Sequence, residues 1–489
     1  MTEFPCRPGR DAKSFLRCSA VALSLLLAAC TVGPDYHRPV LDIPTKFKEQ
    51  DGWKQAEPQV AASGTDWWSI FRDPTLDGLE RQVDVSNQNL KASEAAYHQA
   101  VAAAQAANSS FFPSAILNGS GTRSQSGGGG FGGASFGPTI GNSFNTSVGV
   151  NWDIDLWGRI RRAVESAEDT AQASAADLAA ARLSIQATLA ADYFSLRSAD
   201  QLKRLLDSTV AAYSQSLQIT RNQYASGVAA RSDVTQAETQ LKQTQSLDIN
   251  VGIQRAQLEH AIAVLIGKPP SEFSLAPVTG LTEAPSIPVG VPSSLLERRP
   301  DISAAELQMA AANAQIGVAE AAFYPSLTLV GATGFASPVI GQLFNASNNL
   351  WSFGPQLSQI VFDGGLLQAQ LAQARASYEQ GVALYRQTVL TAFQQVEDQL
   401  AALRILSQQA VVQDEAVKAS EESVRVLLNQ YKAGTVIYTT VITAQAAALA
   451  AEQTALTIRQ NQLTAAVSLV QALGGGWNVA RLPAMAETE

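Results

Sequence analysis

The chain has 489 residues, a formal net charge of −9, only 16% charged residues and three cysteines. An acidic chain of this kind is unsuited to binding nucleic acid. Beyond the N-terminal leader no run of apolar residues is long enough for a transmembrane helix, so any membrane crossing must be made by β-strands.

Arg7, Arg10, Lys13 and Arg17 precede the short apolar stretch "AVALSLLLAAC", which marks residues 1–29 as a signal peptide rather than a span. Its end, Leu27-Ala28-Ala29-Cys30, resembles a bacterial lipobox, after which Cys30 would carry a diacylglycerol thioether and an N-acyl chain. Several acyl chains anchor stably, since each buried methylene contributes about 0.8 kcal/mol. Thr31, in place of the aspartate that retains many such proteins at the inner membrane, points to the outer membrane. The plainer alternative is a secretory peptide with an incidental cysteine. Cleavage removes four basic and two acidic residues and leaves a net charge of −11. It also removes Cys6 and Cys18, so the mature chain has no thiol pair.

An extended segment (30–73) leads into a sequence written twice. "NQYASG" at 222–227 recurs as "NQYKAG" at 429–434, an offset of 207, while "FFPS" at 111 and "FYPS" at 323 are 212 apart. The expected organisation is repeat 1 over 74–276, a Pro-rich linker over 277–293, repeat 2 over 294–477 and a tail over 478–489. Each repeat reads helix, strand, Gly-rich loop, strand, long helix, turn, long helix.

Strands are expected at 114–123, 143–156, 326–335 and 350–362. In the second, Phe144, Thr146, Val148, Val150, Trp152, Ile154 and Leu156 share one face, with polar or small residues between them. Such alternation calls for one apolar and one polar environment. A soluble sandwich usually supplies it, but four strands leave edges open and cannot close a barrel. Three chains would pool twelve strands, with lipid outside and water inside.

No proline occurs from Arg159 to Tyr224, which predicts a helix about 100 Å long at 1.5 Å per residue. A return helix of about half that length is expected from Asp233 to Ile266. Ile442, Leu449, Leu456, Leu463 and Val470 recur every seven residues as a coiled-coil seam. Taken alone this reads as a soluble bundle. Pro113 and Pro325, each between a helix and a strand, are expected to mark the passage from helices to barrel.

"CTVGPDYHRP", "WWSIFRDPTLDGLERQV" and "LLERRPDISAAELQMAAANAQIGVAEAAFYPSLTLVGATG" resemble the NodT-type outer-membrane factor lipoproteins of the TolC-like superfamily. The resemblance runs to "ALGGGW" near the C-terminus. It implies an α+β membrane protein: a homotrimer with a shared twelve-stranded transmembrane β-barrel continuing into a periplasmic coiled-coil tunnel. It implies a passive, gated duct exporting small molecules, docked to a periplasmic adaptor and an inner-membrane pump of the RND type, with no enzymatic activity. Carried over by position, the turns at 224–234 and 431–445 form the gate and the adaptor contact. Gly227 and Gly434 would allow the turns, with Val228 and Thr435 beside them facing the adaptor; helix-ending glycines are the plainer reading. Asp233 matches an acidic gate residue tied to a tyrosine, here Tyr431, and helix N-capping is its plainer role. Thr440 and Thr443 stand where relatives often carry an acidic ring, and Val436 where they carry an arginine. The tip is therefore expected to be held shut by packing. A type I protein-secretion duct and a non-conducting coiled-coil lipoprotein are the alternatives.

Other motifs fail on context. Gly127, Gly129 and Gly132 satisfy G-x-G-x-x-G by repetition, without the helix of a dinucleotide site. His37, His98 and His260 lack metal-ligand spacing. Arg298, Arg299 and Asp301 read as an ion pair or cap opening a helix at Pro300. No cofactor is expected beyond the lipid on Cys30.

Overall fold

The computed structural model describes residues 31–41, 43–50, 66–127, 130–131, 134–135, 138–278, 280, 282–285, 287 and 292–483. Residues 1–30, where the signal peptide and the lipidated Cys30 are expected, lie outside the described residues. The chain divides into two compact units: the segment up to Pro39 with His98–Ala173 and Glu306–Leu384, and Val40–Tyr97 with Ser174–Ala305 and Tyr385 onward.

The first unit holds β1 (Ser114–Ser126), β4 (Thr139–Ile154), β5 (Ser326–Ser337) and β6 (Asn349–Ser358), antiparallel in the order β1-β4-β5-β6. A two-residue hairpin, β2 (Gly130–Phe131) with β3 (Ala134–Ser135), lies in the Gly-rich loop. Two strands end earlier than alternation alone suggests. β4 stops at Ile154 because the Asp155 carboxylate accepts from the N–H groups of Ile160 (3.0 Å) and Arg161 (2.9 Å) and caps the next helix. β6 stops at Ser358, and Asp363 accepts from Gly365 and Leu367 in the same way, both at 2.8 Å.

The register carries the alternation across the whole sheet. Leu117, Val148, Thr333 and Trp351 line up on one face, as do Ile154, Leu327 and Leu357. Asp153, Thr328 and Gln356 line up on the other, where the Thr328 hydroxyl donates to Asp153 Oδ1 at 2.8 Å. The apolar face is bare: Leu117, Trp351, Phe353 and Leu357 are 75%, 77%, 74% and 68% exposed. No described strand of the chain pairs with the outer edge of β1 or of β6.

The described helices are α1 (Pro74–Ser86), α2 (Gln88–Asn108), α3 (Arg159–Ala225), α4 (Arg231–Leu265), α5 (Leu295–Arg298), α6 (Pro300–Ala321), α7 (Leu366–Lys432) and α8 (Tyr438–Ala472). α3 and α7 have 67 residues each, α4 and α8 have 35 each, and every boundary repeats at the 207-residue offset. Among the described residues no helix is long and apolar enough to cross a membrane. α2 and α6 end at Asn108 and Ala321, short of Pro113 and Pro325. A proline cannot donate to the carbonyl four residues back, so the chain tightens to i→i+3 bonds, Phe112 N–H to Ser109 O and Tyr324 N–H to Ala321 O, both 3.1 Å. Extended backbone follows directly.

The second unit is centred on aromatic packing. Trp67, Trp68, Phe71, Tyr193 and Phe194 are fully buried, each such side chain contributing about 1.5–3 kcal/mol. Asp73 caps α1 through Thr75 and Leu76 and accepts from the Tyr193 hydroxyl at 2.6 Å, with Pro74 at the first helical position. Along the expected seam Leu463 and Val470 are buried, while Leu449 packs against Ala199, Leu206 and Val251.

Candidate functional site

Two helical turns related by the repeat make the first candidate. α3 and α7 end on Gly227 (φ +73°) and Gly434 (φ +74°). Gly227 N–H reaches Tyr224 O at 3.0 Å and Val228 N–H reaches Gln223 O at 2.9 Å. The second turn repeats both bonds, Gly434 to Tyr431 and Thr435 to Gln430, at 3.0 Å each. This is the Schellman arrangement, which satisfies the last helical carbonyls and needs a left-handed residue at the glycine. It leaves Val228 (68%), Ile437 (70%) and Thr435 exposed, and a Cβ on either glycine would meet nothing within 4 Å. Gly227, Val228, Gly434 and Thr435 thus sit at the turns as expected.

Below the turns lies a packed cluster of Tyr213, Leu217, Ala237, Leu241, Tyr431, Tyr438 and Val441, with Val436 against it. The Tyr431 and Tyr438 rings are 5.0 Å apart at 52°. Burial pushes the Tyr438 hydroxyl up to about 12 and raises that of Tyr431, to which Asp233 adds in both cases. Thr220 stands beside Tyr431 and opposes the shift, yet among the described residues no group meets hydrogen-bond geometry with the Tyr431 hydroxyl. Gln223 Nε2 donates to Tyr431 O at 3.3 Å and ties the two hairpins within the chain.

Asp233 differs from its capping expectation. The N-cap of α4 is Ala230, without a side-chain bond, and Asp233 lies in the first turn, its N–H 3.1 Å from Ala230 O. The chain enters α4 two residues before Asp233, so the carboxylate is past the position from which an N-cap oxygen reaches back. It still opposes the positive end of the helix. Thr440 and Thr443 are exposed on α8, and the Thr443 hydroxyl is turned to Thr439 O at 3.0 Å.

The second candidate is the strand–helix junction. Trp157 stacks on Tyr324, centroids 4.8 Å apart, and donates to Pro325 O at 2.8 Å; Trp152 donates to Phe111 O at the same distance. Pro113 and Pro325 thus lie beside indole-bonded carbonyls. The "TVGPDYHRP" segment is bound here too. Val32 N–H reaches Trp157 O at 3.0 Å, Asp35 pairs with Arg162 at 2.6 Å, and Arg38 with Glu306 at 2.5 Å. Gly33 (φ +103°) passes so close that a Cβ would lie 2.4 Å from Gly317 Cα.

Several residues matter that sequence reasoning did not single out. Glu80 is wholly buried on α1 with neither carboxylate oxygen bonded, and its pKa is pushed up to about 9 by burial, then by Asp84 and Asp77. Its apolar helical neighbours Leu76, Leu79 and Val83 mark that face as inward, which is the only signal the sequence offered. The buried Arg197 and Asp200 join the partly buried Arg255 and Glu259 in a network that holds Leu275 and Ala276. Arg299 pairs with Asp301 at 2.5 Å and donates to Ala472 O at 3.1 Å, the structural role expected of it. Among the described residues no group of metal-ligating side chains is assembled.

Residues 79–268 and 291–475 match the family described as "Outer membrane efflux protein". The chain is 31% identical over 469 residues to the toluene efflux pump outer membrane protein TtgC of Pseudomonas putida, covering 94% of this chain and 95% of that one. It is 29% identical over 461 residues to the cation efflux system protein CusC of Escherichia coli, covering 93% and 97%. The structure of the outer-membrane channel OprN superposes with a TM-score of 0.85 at 29% identity, covering 92% of this chain and all of that one. A bare, two-faced sheet joined to paired long helices is the fold of these channels, and the chain belongs to the outer membrane efflux protein family.

Proposed function

We propose that this chain is the outer-membrane duct of a tripartite small-molecule efflux system, working as a homotrimer with a periplasmic adaptor and an inner-membrane pump of the RND type. The observation that carries the reading is the sheet: an exposed apolar face, a polar face, and two open edges on a chain without a helical span among the described residues. Pooling twelve strands satisfies both edges and gives each face its solvent. The duct is passive, and transport energy comes from the pump.

Cys30 is the proposed lipidation site. The next residue, Thr31, lies against Gly158, where a Cβ would be 2.7 Å from Thr31 Cγ2, and Gly158 follows the end of β4 by four residues. Acyl chains on Cys30 would thus emerge at the strand ends, where lipid begins. The exposed turns with Gly227, Val228, Gly434 and Thr435 are the proposed adaptor contact. Asp233 and Tyr431 belong to the proposed gate, where the Tyr431 ring is packed within the chain and the Asp233 carboxylate adds to burial in raising the pKa of its hydroxyl. With Thr440 and Thr443 in place of acids, the closed tip rests on packing and a low-micromolar trivalent cation should leave its conductance unblocked.

The cargo class follows from a deletion strain and its complemented parent, grown with aromatic solvents, dyes, detergents, antibiotics and heavy metals. Restored resistance to at least one class is expected. Unchanged susceptibility throughout, together with loss of a secreted polypeptide, would replace efflux by type I secretion.

A further inference from the structure

The internal repeat fixes how neighbouring copies pair. An offset of 212 carries β1 onto β5 and an offset of 207 carries β4 onto β6. The two hairpins obey both offsets at once: Leu117 opposite Val148 becomes Leu329 opposite Pro355, and Ser114 opposite Asn151 becomes Ser326 opposite Ser358. The hairpin is thus a unit used twice in one register. A second kind of seam, between the units, is β4 with β5, where Asn145 faces Ala336 and Thr146 faces Phe335. The same offsets convert that seam into one between β6 and β1, the two strands whose outer edges are free.

We infer that β6 of one copy pairs antiparallel with β1 of the next in the β4–β5 register, placing Ser352 opposite Ser124, Phe353 opposite Arg123, Gln356 opposite Ser120 and Leu357 opposite Gly119. This rests on the homotrimer proposed above and adds its register. Three features agree with it. Four strands of alternating direction leave β6 and β1 antiparallel when copies meet. Parity is kept, so Phe353 and Leu357 continue on the same face as Leu117 and Gly119, while Gln356 meets Ser120 on the polar face. A one-residue slip would turn one strand's apolar face toward water. The pairing is also size-matched: Leu357 meets a glycine, as Phe353 meets Gly331 within the chain.

The test uses the full-length lipoprotein in outer membranes, where the leader cysteines are gone and Cys30 is acylated. The variant S124C/S352C is oxidised with copper–phenanthroline and run without reductant after heating. Directly opposed residues have Cα atoms within the 4.4–6.8 Å a disulfide needs, and a two-residue slip moves them by about 7 Å. Covalent trimers from S124C/S352C, and from S120C/Q356C as an independent pair in the same register, are expected at least several-fold above T122C/S352C and the single-cysteine chains. Preferential cross-linking of T122C/S352C, or native-sized trimers that neither matched pair can link, would overturn the register while leaving the trimer. Chains that run as monomers before heating would overturn the pooled barrel itself.

Discussion

Glycines at helix ends separate two kinds of constraint at the residue scale. Gly227 and Gly434 need only their left-handed conformation, so alanine there should cost about 1–2 kcal/mol. Gly267 and Gly474 also end helices, but a Cβ would sit 2.2 Å from Ser86 O and 2.0 Å from Arg298 O. Gly267→Ala or Gly474→Ala should therefore lower the heat-dissociation temperature clearly more than either turn variant. An equal effect would mean that the backbone contacts are readily relaxed. Glu80 makes a second residue-scale prediction. Its folded pKa of about 9 lies above the ordinary carboxylate value of 4.5, so the folded state holds a proton that the unfolded chain has lost. Stability from this group is present below pH 4.5 and declines as pH rises toward 9. Glu80→Gln, the isostere of the protonated form, should flatten the fall in thermal stability between pH 6 and about 9. A wild type with no such fall would show that the carboxyl is solvated.

The sheet and the hairpins respond differently to substitution at the element scale. Phe353→Arg would place a charge on the apolar face of β6, at a cost of about 2–4 kcal/mol at mid-bilayer, and should reduce assembled protein in the membrane. Gln356→Arg, three residues on and on the polar face, should assemble normally and shift ion selectivity toward anions. Equal assembly of both would contradict the assignment of faces. The elements were largely legible in the sequence, because alternation, proline-free Ala-rich runs and the 207-residue repeat are local patterns. Strand ends were not, since they depend on Asp155 and Asp363 turning back to cap helices. The place of Asp233 was misread for a related reason: helix α4 begins at Arg231 with Ala230 as its cap, and neither residue carries a capping signal.

For the whole molecule, the parts that recur in pairs are two hairpins, two 67-residue helices and two 35-residue returns, the elements that each copy would contribute to a shared tube. The site at the turns was legible only as position. Gly227 and Gly434 stand out in the repeat, whereas the cluster of Tyr213, Tyr431 and Tyr438 is assembled from three helices and leaves no contiguous trace. The cluster gives physical content to a tip closed by packing. Opening a cavity in it with Tyr431→Ala should raise resting conductance several-fold if the gate is built as proposed.

The most direct test of the duct is single-channel recording from purified, heat-dissociable oligomers in planar lipid bilayers. The expected result is a small resting conductance in the wild type, insensitive to low-micromolar trivalent cation and several-fold larger in the Tyr431→Ala variant. Intact oligomers that insert but never conduct, in either form, would contradict it.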